Sequence, residues 1–360
     1  MIKLASLIRR KNNNFNLIRL IAALMVIFAH SFDLFKTDGY TDPIKRIFNE
    51  SAGTLAVYIF FFLSGIFITG SFENKKNHLS FILMRVFRIW PALIVCTVLT
   101  VFFIGPLLTT LTVKEYLLHV GTWKFFLSNV LLYNPASHTL PGLFLYNHLA
   151  GAVNGSLWTL PAEVKCYSFI FILGIIGAFR YKRSLVVIFL ILLVASVSKY
   201  NNYIGFFSAN VVLFFIAGSL AYLYKEFVLL NFKVCILLIS LCLISFHTVF
   251  FHPLFYLTLI YSVLVTGASG IFKSIKLPGD YSYGAYIYGF IVQQVISNLC
   301  SFLNPYNSLM IVFPVVAILS VLSWHIIEKP SIEYGKKIRL FSFKKTAIPA
   351  VSITEAQSRL

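Results

Sequence analysis

Long apolar runs recur along the chain from residue 16 to residue 327, each bounded by a short polar or basic stretch, with no polar domain between them. A helix needs about 20 mostly apolar residues, and about 17 at the least, to cross a hydrocarbon core roughly 30 Å thick. The pattern predicts spans near residues 16–36, 54–70, 90–111, 162–179, 184–198, 206–224, 234–250, 252–270, 282–303 and 308–327. The fifth is short, and the seventh and eighth are divided only by Phe251 and the break at His252 and Pro253. The fold class expected is therefore all-α: a polytopic integral membrane protein of about ten transmembrane helices.

One stretch departs from this rhythm. Residues 112–161 hold the semi-apolar piece KFFLSNVLLY and then Pro135, Pro141, Gly142, Gly151, Gly155 and Pro161. An interfacial or re-entrant helix packed on the bundle is expected there. The first run carries Arg19 and His30 and lacks a small-residue cleavage site, which predicts a retained span rather than a signal peptide. No fixed-period repeat is visible. Residues 1–330 read as one membrane domain and 331–360 as a basic, disordered cytoplasmic tail.

Composition agrees. Of 360 residues 59% are apolar and 12% charged, with mean hydropathy +0.84, whereas a soluble domain is about a quarter charged. The formal charge of +18 raises nucleic-acid binding, but the Lys and Arg residues form short clusters between apolar runs rather than one aromatic-interleaved patch, so no nucleic-acid partner is expected. Their distribution is a topology signal: with the N-terminus inside, 22 of the 30 fall in inner segments, which predicts cytoplasmic termini at both ends. The five cysteines lie inside apolar runs without metal-ligand spacing and read as small buried hydrophobes, so no metal is expected.

Ionisable residues inside a span are costly, and they usually face the protein interior or a wet cavity. Arg19 and His30 are eleven residues apart, which is about three helical turns plus 20°, so they share one face about 16 Å apart. Asn16 and Ala23 lie on the same face. An alternative is that Arg19 snorkels to the headgroups while His30 is a hydrogen-bonded core residue. Arg85 and Arg88, at i and i+3 before the third span, project to one side. Two guanidiniums there suit a phosphate-rich ligand; the alternative is ordinary interfacial anchoring beside Trp90. At the outer start of the fourth span Glu163 is a carboxylate that the bundle brings towards His30 for proton transfer, or one that simply favours a helix start.

These residues jointly resemble the acyltransferase type 3 family of integral-membrane O-acyltransferases. The resemblance runs over most of the chain. It is carried by Arg19 with ten residues before His30, FFFLSG at 60–65, Arg85 and Arg88 in R-x-x-R, W-T-L-P-A-E at 158–163, D-Y-S-Y-G-A-Y-I-Y at 280–288 and H-x-x-E-K-P at 325–330. Where many relatives have a histidine after the Y-L-Y segment, this chain has Gly289 followed by Phe290. The chain stops soon after its last span, like the stand-alone membrane form of the family.

The resemblance implies transfer of an acyl group, most often acetyl, from cytoplasmic acetyl-CoA or another acyl-CoA to a hydroxyl of a surface polysaccharide or its lipid-linked precursor. It implies an inner or plasma membrane location, with membrane lipid as a partner; association with a second copy is left open. His30 and Glu163 are then the catalytic candidates, with His30 as base or as an acyl-accepting nucleophile. Arg19, Arg85 and Arg88 would hold the phosphates of CoA, and Ser64, Trp158 and Glu328 would support the substrate or the structure. Two readings from other classes are a non-enzymatic transporter or flippase whose path these polar residues line, and an assembly subunit of a glycan-export complex.

Overall fold

The computed structural model describes residues 2–9, 13–74, 78–133, 138–180, 182–197, 209–270, 275 and 277–346. They form an all-helical bundle with one short antiparallel pairing, Ile2–Lys3 against Leu229–Leu230. The principal helices are α1 (Phe15–Leu34), α2 (Ala52–Glu73), α3 (His78–Leu99), α4 (Thr159–Ile175), α5 (Lys182–Val197), α6 (Ala209–Leu223), α7 (Phe232–Ile244), α8 (Phe251–Ala268), α9 (Ser282–Leu299), α10 (Pro305–Leu322) and α11 (Lys329–Thr346).

Among the described residues, six stretches are long and apolar enough to cross a membrane: α1, α2, His78–Leu108, Gly155–Ile175, α8 and Pro305–Ile338. Three apolar helices are shorter: Leu185–Val194, Asn210–Leu223 and Phe232–Ile244. Helix α9 is eighteen residues long and carries Gln293 and Gln294, both fully buried, in the middle of the bundle. The chain is thus an all-α membrane protein. Residues 331–346, expected as a loose tail, are helical, and Gly335 of α11 packs on Phe87 of α3. Residues 347–360 lie outside the described residues.

Small residues let the helices approach. A methyl group on Gly65 of α2 would overlap the carbonyl of Phe215 on α6, and one on Gly218 of α6 would overlap the carbonyl of Phe62 on α2. This reciprocal crossing is the close backbone packing by which membrane helices associate when lipid gives them no hydrophobic drive. It leaves the opposite face of α2, with Phe60 and Ser64, turned towards α1 and α4.

Helix α3 is extended through a π-helical turn, Thr100–Ile104, into Gly105–Leu108. The Val101 carbonyl in this turn accepts a hydrogen bond from the buried Tyr116 hydroxyl at 3.0 Å. Beyond it lies the irregular stretch that the sequence set apart. Helix Val120–Val130 runs along α3, with Trp123 beside Phe102 and the Val130 carbonyl bonded to Trp90 Nε1 at 3.0 Å. The chain then turns at Gly142, whose φ of 69° suits glycine, and enters the bundle. Asn147 donates to Gln294 on α9 (2.6 Å), and Asn154 Nδ2 donates to the Ile287 carbonyl (2.8 Å). Polar backbone is tolerated at depth only when protein satisfies it, and amides do so here.

Candidate active site

A cavity of about 310 Å³ opens between α1, α2, α3, α4 and α9. Arg19 and Arg88 line it, as do Ser64, Glu163 and Tyr167. Phe60, Thr159 and Tyr286 meet in its wall, the Phe60 and Tyr286 rings 5.6 Å apart and the Thr159 hydroxyl bonded to that of Tyr286.

The two arginines are fixed by acids that come from elsewhere in the chain. Arg19 Nη1 and Arg88 Nη2 both donate to Asp280 Oδ2, at 2.7 and 2.6 Å. Arg88 Nη1 is 3.4 Å from Glu328 Oε2, and Glu328 Oε1 accepts from Ser323 at 2.9 Å. The side chains of Arg19 and Arg88 are 25% and 21% exposed, whereas Asp280 and Glu328 are 13% and 1% exposed. Burial pushes the Asp280 carboxyl up, but Arg19 and Arg88, with Ser282, outweigh it and hold the group well below the ordinary carboxylate range. Asp280 therefore stays ionised between its two arginines over ordinary pH.

Arg85 is built differently from Arg88. Its Nη1 donates to the Phe81 carbonyl at 2.8 Å, its guanidinium lies 3.9 Å over the Phe81 ring, and it is absent from the cavity wall. Of the R-x-x-R pair, one arginine reaches the cavity.

Glu163 is found deeper than the sequence suggested. Its Oε1 accepts a hydrogen bond from Tyr167, whose hydroxyl is 3.5 Å from Ser64 Oγ. Ser64 is eleven residues along α2 from Gly53, about 16 Å, and Gly53 lies level with Ala29, where a methyl group would come within 3.2 Å of the Ala29 Cβ. Glu163 thus sits with the arginines, well below His30. The cause is the re-entrant segment: Ser156 accepts at its carbonyl from Tyr286 (2.8 Å), and Thr159 bonds the same hydroxyl (2.5 Å), so α4 starts inside the bundle rather than at its outer surface.

His30 is not among the residues that line this cavity; its ring is edge-on to Phe290 at 5.0 Å and its Nδ1 is 3.9 Å from Asp33 Oδ2. Among the described residues no hydrogen bond or ion pair joins His30 to Glu163. Phe290 in turn packs on Gly155, where a methyl group would meet its ring at 2.8 Å. Trp158 is 41% exposed on the turn that precedes α4. Asp280, Asp33 and Tyr167 were not singled out from sequence. The available signals were a lone acid at the head of D-Y-S-Y, a carboxylate at i+3 from His30, and a hydroxyl at i+4 from Glu163. Among the described residues no group of three His, Cys, Asp or Glu is placed to hold a metal.

Comparison with known proteins fits this geometry to a chemistry. No solved structure matches the chain. An O-acetyl transferase of Shigella phage Sf6 is 32% identical over 335 residues, covering 89% of this chain and 96% of that protein. Nodulation protein 10 of Rhizobium leguminosarum bv. viciae is 30% identical over 164 residues, covering 43% of this chain and 42% of that one. The family model described as an acyltransferase domain matches residues 12–328, which hold the arginine network, the cavity and His30 alike. The chain belongs to the acyltransferase type 3 family, as a membrane O-acyltransferase.

Proposed function

We propose that this protein is an acyl-CoA-dependent O-acetyltransferase that acts on a hydroxyl of a surface glycan or its lipid-linked precursor. The observation that carries the reading is the arrangement on α1: Arg19 enters a cavity shared with Arg88, while His30 lies on the same helix about 16 Å farther on. In this reading the chain crosses the inner or plasma membrane about ten times with both termini in the cytoplasm. That puts the arginine end where acyl-CoA is available and the His30 end towards the acceptor.

Arg19 and Arg88 hold the CoA phosphates with guanidinium donors. Arg85 acts on the cavity indirectly, through the wall formed with Phe81 and Tyr167. Glu163 and Ser64 offer polar groups along the path of the pantetheine arm, which continues past Phe60, Thr159 and Tyr286 in the same cavity wall. His30 takes the proton of the acceptor hydroxyl as that oxygen attacks the thioester carbonyl, and the thiol of CoA leaves. Asp33, rather than Glu163, is the carboxylate beside the imidazole, 3.9 Å from its Nδ1. Trp158 supports the turn at the head of α4, and Glu328 holds Arg88.

The test is the mass of the surface glycan with and without this protein in one host. A gain of about 42 Da per modified unit, the formula difference of one acetyl group for one hydrogen, supports the reading. An unchanged mass together with altered glycan export would point to a transporter instead.

A further inference from the structure

Two guanidiniums share one carboxylate oxygen in this bundle. Arg19 reaches Asp280 Oδ2 from α1 and Arg88 reaches it from α3, while Ser282 Oγ donates to Oδ1 at 2.6 Å and so fixes the rotation of the carboxylate. Like charges brought this close in a partly buried site repel one another, and the carboxylate between them removes that repulsion. Each guanidinium has five N–H donors. Those not given to Asp280 and Glu328 remain for a ligand in the cavity that both arginines line.

We propose that Asp280 is the positioning residue of the donor site, setting the spacing and orientation at which Arg19 and Arg88 receive the phosphates of acyl-CoA. The proposal rests on the acyl-CoA reading above. It has a consequence opposite to simple charge counting. The Asp280 carboxylate offsets one of the two guanidinium charges, so its removal changes both the net charge and the aim of the N–H donors. Neutralising Asp280 makes the cavity more positive, and an anion attracted by net charge alone would bind more tightly. If Asp280 positions the donors, the anion binds more weakly. A third role, tying α1, α3 and the head of α9 together, would lower stability and leave the affinity of the folded molecules unchanged.

The test is equilibrium binding of radiolabelled acetyl-CoA to the full chain in lipid nanodiscs, counted per folded molecule, for the unaltered protein and for Asp280→Asn, Asp280→Glu and Ser282→Ala. Asp280→Asn is expected to weaken binding about tenfold or more, as loss of a hydrogen-bonded charge does. Asp280→Glu, which keeps the charge on a longer arm, restores part of the affinity. Ser282→Ala keeps every charge and weakens binding about fivefold, the equivalent of one ordinary hydrogen bond. Unchanged or tighter binding by Asp280→Asn overturns the proposal, and if that variant does not fold, unchanged binding by Ser282→Ala overturns it. Absence of acetyl-CoA binding by the unaltered protein overturns the donor reading and this proposal together, an outcome distinct from either of those.

Discussion

The two ends of the bundle are held by different chemistry. At the arginine end, four charged side chains from α1, α3, the head of α9 and the turn after α10 interlock, and Asp280 and Glu328 are largely withdrawn from solvent. At the His30 end the links are amides: Gln293 donates to the Ile27 carbonyl at 2.9 Å, and Asn147, Asn154 and Gln294 tie the re-entrant segment to α9. On the proposed function, charge fixes the end that receives an anionic donor, and neutral hydrogen bonds fix the end that admits a glycan hydroxyl. A buried ion network is costly to break, whereas single neutral hydrogen bonds contribute about 1 kcal/mol each.

This contrast predicts a ranking of variants. The largest effect is expected for His30→Ala: turnover per folded molecule falls by about 10² to 10⁴, the usual worth of a general base, while acetyl-CoA binding and insertion persist. Acetyl transfer measured beside donor binding and thermal stability checks it, and near-normal turnover would return His30 to a structural role. Next comes Arg88→Gln, which leaves Asp280 and Glu328 short of their partner. It should cost folded yield as well as raise the donor KM about tenfold or more. Arg85→Gln is the sharper half of that test. Because Arg85 binds Phe81 and stays off the cavity wall, its donor KM is expected within about threefold of normal, below the cost of a charged hydrogen bond. Equal effects from the two arginines would contradict the distinction drawn between them.

The helical membrane fold was legible in the sequence because apolar run length is set directly by membrane thickness. The arginine–histidine face of α1 was legible too, since eleven residues close to a whole number of turns. The depth of Glu163 was not. Helix periodicity places a residue along its own helix but says nothing of where that helix starts, and α4 starts within the bundle because Asn154, Ser156 and Thr159 find partners on α9. The same limit hid the difference between Arg85 and Arg88. An i, i+3 pair shares a side of the helix, but Phe81, one turn before Arg85, captures that side chain first.

A further small effect follows from that depth. Glu163→Gln should raise the donor KM only a fewfold, the worth of one hydrogen bond, and leave the pH dependence of kcat unchanged, since Glu163 does not pair with His30. A displaced pH profile in this variant would place the carboxylate functionally beside the imidazole.

The separation of donor and acceptor ends is tested most directly by sidedness. In sealed membrane vesicles of known orientation that carry the protein and its glycan acceptor, radiolabelled acetyl-CoA is supplied to one face at a time, and label in the glycan is measured. Transfer is expected only when acetyl-CoA faces the end of the bundle that holds Arg19, Arg88 and Asp280, with the label appearing on glycan at the opposite face. Equal transfer from either face, or labelled glycan on the donor face, would contradict the account.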